Sequence, residues 1–130
     1  MMEQLSNTAV YFEIPVLEMK RAVQFYQGVF HCALETTIID GNEMALFPSI
    51  GCSSGITDAL AKGDVYKPTL DGIVIYFSTL SINETLDLVK SFGGSVLYPK
   101  TDNGIGFVAE FPDSEGNRMA LFENYPRKSD

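Results

Sequence analysis

The chain has no tryptophan, a single histidine (His31) and two cysteines in 130 residues. One imidazole excludes multi-histidine zinc sites and any triad that needs a second histidine. Cys32 and Cys52 form no CxxC pair and no metal-ligand spacing, so both read as reduced thiols of a cytoplasmic protein. Basic residues are few, nine against seventeen acids, for a net charge of -8. A field of that sign repels nucleic acid and anionic membranes, and neither is expected as a partner. No apolar run approaches the ~18 residues of a membrane span. The start, MMEQLSNTAV, has no basic region ahead of an apolar stretch and reads as no signal peptide. Phosphate-binding glycine patterns are also missing, and the glycines of GNEMALFPSIG read as turn formers.

What is present is an ordinary apolar share, 45%, with 20% charged residues, which suits one soluble domain over residues 1–130. AVYFEIPV (9–16) is β-branched and aromatic and ends near Pro15, predicting a strand. In LEMKRAVQFYQGVF (17–30) the period changes: Met19, Ala22, Val23, Tyr26 and Phe30 share one helical face. Glu18 suits the start of that helix, and His31 stands where a left-handed residue often ends one. Strands are expected at 33–39 and 43–47 around the turn DGN, then a loop, PSIGCSSG, and a short strand, ITDAL (56–60). AKGDVYKPTLDG (61–72) reads as the linker between halves.

After it the order recurs. GIVIYFST (72–79) is a strand. SINETLDLVKSF (81–92) opens with Ser81 and Glu84 in capping-box spacing and keeps Ile82, Leu86 and Val89 on one face. GG ends that helix, and strands follow at 95–98, 105–111 and 118–123. Between the last two lies a turn crowded with Asp113, Ser114, Glu115 and Asn117 around Gly116. The strand after it carries only Ala120 at its centre. Two tandem copies of one βαβββ unit result, about 9–60 and 72–124.

FEIPVLEMKRAVQFYQGVF, GIVIYFST, GGSVLYPKT and FPDSEGNRMALFE stand in this order over nearly the whole chain, from about Val10 to Glu123. Together they resemble the vicinal-oxygen-chelate superfamily, which holds glyoxalase I, extradiol dioxygenases and bleomycin-resistance proteins. Within it the likeness is to enzymes related to lactoylglutathione lyase. The resemblance implies an α+β fold: two βαβββ modules form a curved, cup-shaped mixed sheet with the helices outside and the ligand in the cup. It also implies a homodimer. Metal-dependent members hold an ion with four side chains from the first and fourth strands of each module. Carried onto this chain, those positions are Tyr11, Ile56, Val74 and Ala120. The last three offer no donor and a neutral tyrosine little, so neither metal nor other cofactor is expected.

Strand alternation turns Tyr11, Glu13 and Pro15 to one face and Phe12, Ile14 and Val16 to the other. The apolar set should meet the helices, which puts Tyr11 and Glu13 in the cup. Glu13 is the candidate catalytic residue, as general base or as anchor for a ligand cation; the structural reading pairs it with Arg118 or a tyrosine hydroxyl. By the same parity Val74 and Tyr76 line the cup over a support of Ile73, Ile75 and Phe77. Arg118, Ala120 and Phe122 line it from the last strand. Arg118 either clamps a ligand carboxylate or holds Asp113 or Glu115 in the turn. PKTDNGIG (99–106) reads as a hairpin connection, with Lys100 the group that would reach a ligand if it covers the cup. The expected function is a glyoxalase-related small-molecule-binding protein or metal-independent enzyme. The alternatives are a metal-dependent lyase, isomerase or dioxygenase, and a ligand-sequestering resistance protein.

Overall fold

The computed structural model describes residues 8–48 and 57–127. Its elements are β1 (Tyr11–Pro15), α1 (Met19–Phe30), β2 (Glu35–Ile39), β3 (Asn42–Leu46), β4 (Thr57–Lys62), β5 (Ile75–Ser78), α2 (Ile82–Ser91), β6 (Tyr98–Asp102), β7 (Phe107–Pro112) and β8 (Arg118–Glu123). Strand, helix and three strands occur twice, as the repeat implies. Each set builds its own unclosed four-stranded sheet, ordered β1-β4-β3-β2 and β5-β8-β7-β6. In both, the last strand returns to lie parallel to the first, Glu13 opposite Ala59 and Tyr76 opposite Ala120. The remaining pairs are antiparallel, so each sheet is mixed.

Alternation decides which face meets the helices. Ile14 from β1, Leu60 from β4, and Ala109, Phe111, Met119 and Leu121 from β7 and β8 join one apolar cluster with both helices. Phe12 and Phe77 pack against it, their rings 6.4 Å apart. Residues one position off, among them Tyr11, Glu13, Tyr76 and Ala120, therefore occupy the helix-free faces. The core is shared by the two modules: Phe30 of α1 meets Phe77 of β5 at 4.6 Å between ring centres, and Phe25 meets Phe111 of β7 at 6.2 Å. That double duty widens the buried stripe of α1. Phe25 and Val29 are buried with Met19, Ala22 and Tyr26, whereas Val23 and Phe30, expected on the inner face, are only partly buried.

His31 closes α1 at φ 53° and ψ 47°, the left-handed conformation that its place after the helix implies. Ser81 caps α2, its side chain accepting from the Glu84 amide at 3.2 Å. Three expectations are corrected. The second strand of the second module is 98–102, not 95–98; as an edge strand it tolerates Pro99, next to an irregularity in its register. Residues 99–102 of the expected connection are thus strand, and the turn is 103–106. Ile73 is 92% exposed instead of supporting the sheet, because β5 begins only at Ile75.

The polar turn between β7 and β8 ties the modules together. α1 has no capping side chain of its own. Glu115 takes that role across the fold, with Oε1 accepting from the amides of Leu17 and Glu18, both at 2.8 Å. Arg21 adds two bonds to the same carboxylate, Nε to Oε2 at 2.7 Å and Nη2 to Oε1 at 2.9 Å. Burial pushes this acid up, but Arg21, the Glu18 amide, Ser114 and the Leu17 amide outweigh it and hold the pKa at about 2. Beside it the buried Tyr26 hydroxyl donates to Asp113 Oδ2 at 2.6 Å, and Asn117 Nδ2 donates to the Pro15 carbonyl at 2.7 Å.

Candidate functional site

Tyr11, Glu13 and Pro15 share the helix-free face of β1, and the chain concentrates its polar contacts there on Glu13. The Tyr11 hydroxyl donates to Glu13 Oε2 at 2.9 Å. A second phenol, Tyr66 from the connection after β4, donates to Oε1 at 2.7 Å. Both phenols are harder to ionise as a result. For Tyr11, burial and then the bond to Glu13 push the pKa up to about 12. For Tyr66, the bond to Glu13 is the leading cause of the rise. Tyr66 was not singled out from sequence. A tyrosine between Gly, Asp and Pro signals reads as linker, and no periodicity marks which face it will cover.

Glu13 and Arg118 line one cavity of about 260 Å³ at the seam between β1 and the β5–β8 side of the second sheet. Its other walls are mostly apolar, with Phe12, Ile73, Ile75 and Met119 among them. Arg118 does not hold Asp113 or Glu115, as one sequence reading had it. Its guanidinium forks onto Glu110, Nε to Oε1 at 2.8 Å and Nη2 to Oε2 at 2.9 Å. The cause is register: Arg118 and Glu110 lie on the same face of adjacent antiparallel strands, two positions apart across the ladder. The turn acids face the other module instead.

Tyr76, half-exposed, stands opposite Ala120, which is fully buried between Tyr76 and Glu110. Phe122 follows on the same face of β8 and lies against Gly106, where an added Cβ would meet its ring at 2.6 Å. Val74 is partly buried and immediately precedes β5. Thus Glu13 and Arg118 share the cavity, while Tyr76, Ala120 and Phe122 continue the same sheet face outside its lining. Lys100 is occupied with Glu123 at 3.4 Å and sits over the Phe107 ring. Ile56 and Cys52 lie outside the described residues. Cys32 is a partly buried free thiol, raised by burial and by the Asp58 charge. Asp58 itself lies on the helix side of β4, opposite Phe12, where burial pushes its pKa up to about 6.

The metal positions carried over from the superfamily do not fit an ion. Val74 and Ala120 have no donor atoms, and Tyr11 is a protonated phenol already committed to Glu13. Among the described residues no three His, Cys, Asp or Glu side chains group so as to hold one. Among the same residues no helix is long and apolar enough to cross a membrane.

No family model matches the chain, and no curated protein sequence matches it. Solved structures do. TnmS3, an antibiotic binding protein from Streptomyces sp. CB03234, aligns with a TM-score of 0.67 and 17% identity over 94% of this chain and 100% of its own. The fosfomycin resistance protein FosX from Listeria monocytogenes gives 0.66 and 16% identity over 97% of each chain. A glyoxalase I mutant from Zea mays gives 0.66 and 16% identity over 88% of this chain and 46% of that one. At such identities the likeness is one of fold. The chain therefore shares the paired βαβββ fold of these glyoxalase, antibiotic-binding and resistance proteins, the fold that its resemblance to the vicinal-oxygen-chelate superfamily implies.

Proposed function

We propose that the protein binds a small molecule at the seam cavity, where residues of both sheet faces meet, without a metal ion and with Glu13 as the polar anchor. The observation that carries this reading is a carboxylate held by two phenols at the wall of a largely apolar cavity. An ionised carboxylate has about four lone-pair sites, and two donated hydroxyls leave room for a ligand donor. The same two bonds occupy positions that a general base would use, so binding is favoured over proton abstraction. Antibiotic-binding and resistance proteins of the same fold suit this reading, and the net charge of -8 suits a ligand with a cationic or hydrogen-donating group. A homodimer of a reducing compartment completes the proposal; a solution mass of 14.3 kDa would remove the dimer.

The test is a small-molecule screen by thermal shift on wild type and Glu13→Gln, followed by calorimetry on the hits. A charge-assisted hydrogen bond is worth ~1.5–3 kcal/mol, so Glu13→Gln should weaken its ligands by about tenfold or more while the protein stays folded. A lowered melting temperature with unchanged affinity would make Glu13 a structural partner only. One equivalent of tightly bound zinc, nickel, iron or manganese in purified protein would overturn the metal-free reading.

A further inference from the structure

Tyr66 belongs to no helix or strand, yet it occupies a built site. Its ring packs on a small cluster of Met44, Ala59 and Ala61, with Leu46 alongside, and its hydroxyl ends on Glu13. Ala59 and Ala61 stand on the helix-free face of β4, opposite Glu13 and Pro15 of β1, and both are fully buried. Two alanines in succession on one face leave a trough that the Tyr66 ring covers. Met44 and Leu46 wall it from β3, and the carboxylate of Glu13 closes its far end. Apolar floor, flat shape and a fixed anionic acceptor at one end are the complement of a phenol.

The segment that brings Tyr66 there runs between two cavities. Val16, Gly63, Asp64 and Lys67 line a cavity of about 260 Å³ along one flank of Tyr66. Farther along the same connection Thr69 and Gly72 line the seam cavity with Glu13. Tyr66 itself is only partly buried, and among the described residues its hydroxyl makes a single bond, to Glu13.

We propose that this trough recognises an aromatic alcohol: Tyr66 fills it in the free protein, and a ligand bearing a phenolic hydroxyl takes its place, ring on Ala59 and Ala61 and hydroxyl on Glu13. The inference rests on Glu13 as the ligand anchor and names the chemical class that anchor selects. Displacing Tyr66 also frees the connection from residue 63 up to Thr69, which stays bonded to Asn117 and Arg118, so binding and movement of that short strap are one event.

Methionine methyl NMR tests this, because Met44 borders the trough and Met119 the seam cavity. Tyr66→Ala, labelled at methionine methyls, is titrated with p-cresol and with toluene, which has the ring without the hydroxyl. The expected result is a saturable Met44 shift with p-cresol, at least tenfold tighter than toluene and tenfold tighter than in wild type, where Tyr66 competes. Absence of a Met44 response, or no preference for p-cresol over toluene, overturns the proposal. A response at Met119 alone overturns it while leaving the seam cavity as a ligand site. A response at Met44 alone upholds it and removes the seam cavity from the function. If Tyr66→Ala does not fold, Tyr66→Phe keeps the ring and cuts the tether. That variant should bind p-cresol at least threefold tighter than wild type, and an unchanged Kd counts against the proposal.

Discussion

Glu115→Gln probes the contact that joins the two modules. In the folded protein its carboxylate has donors on every side: two backbone amides, two nitrogens of Arg21 and the Ser114 hydroxyl. Gln keeps the shape but turns one acceptor into a donor pointing at donors, and leaves the start of α1 partly uncapped. The pKa falls from 4.5 to about 2 on folding. At ~1.36 kcal/mol per unit this would be worth roughly 3 kcal/mol, and screening by solvent around the half-exposed Arg21 reduces it to about 2. Stranded amides add about 1 kcal/mol more. A total near 3 kcal/mol lowers the melting temperature by about 9–15 °C for a chain of this length. The acid's pKa is depressed, so its contribution is complete above pH 4.5 and lost as pH falls toward about 2. Urea unfolding of both proteins from pH 7 to pH 2.5 should show their midpoints converging across that window. A variant within ~3 °C of wild type at pH 7, or a gap that does not shrink in acid, would refute the argument.

Tyr26→Phe removes the buried donor to Asp113 and should cost about 1–3 kcal/mol in urea unfolding without changing the m-value. Asp58 behaves oppositely to Glu115, because its pKa is raised from 3.8 to about 6. Its ionised form penalises the fold above pH 6, and the penalty fades as pH falls to about 3.8. Asp58→Asn should therefore raise the melting temperature at pH 7.5 and lose that advantage by pH 4; an equal gain at both values would exclude charge burial as the cause.

Much of this molecule is decided by local chemistry. Alternation in YFEIP places Glu13 on one face whatever the rest of the chain does, since a strand has no other way to arrange successive side chains. The Ser81 cap and the left-handed His31 are likewise consequences of a few neighbouring residues. The repeated βαβββ order was legible because each module carries its own strand and helix periods. The lack of donors at Val74 and Ala120 needed no structure at all.

Pairing across the fold was another matter. That Arg118 would grip Glu110 depends on the register of β7 on β8, and nothing in either segment states a register in isolation. Glu115 reaches the head of α1 from 97 residues away in sequence, a meeting that exists only once both modules pack on one core. Tyr66 shows the same limit most clearly. Its sequence neighbours mark a linker, and only the buried alanines of β4, beside Glu13 of β1, turn that tyrosine into a packed partner of the carboxylate. Contacts between distant segments are set by how whole faces pack, and packing is a property of the assembled surfaces, not of any short stretch that contributes to them.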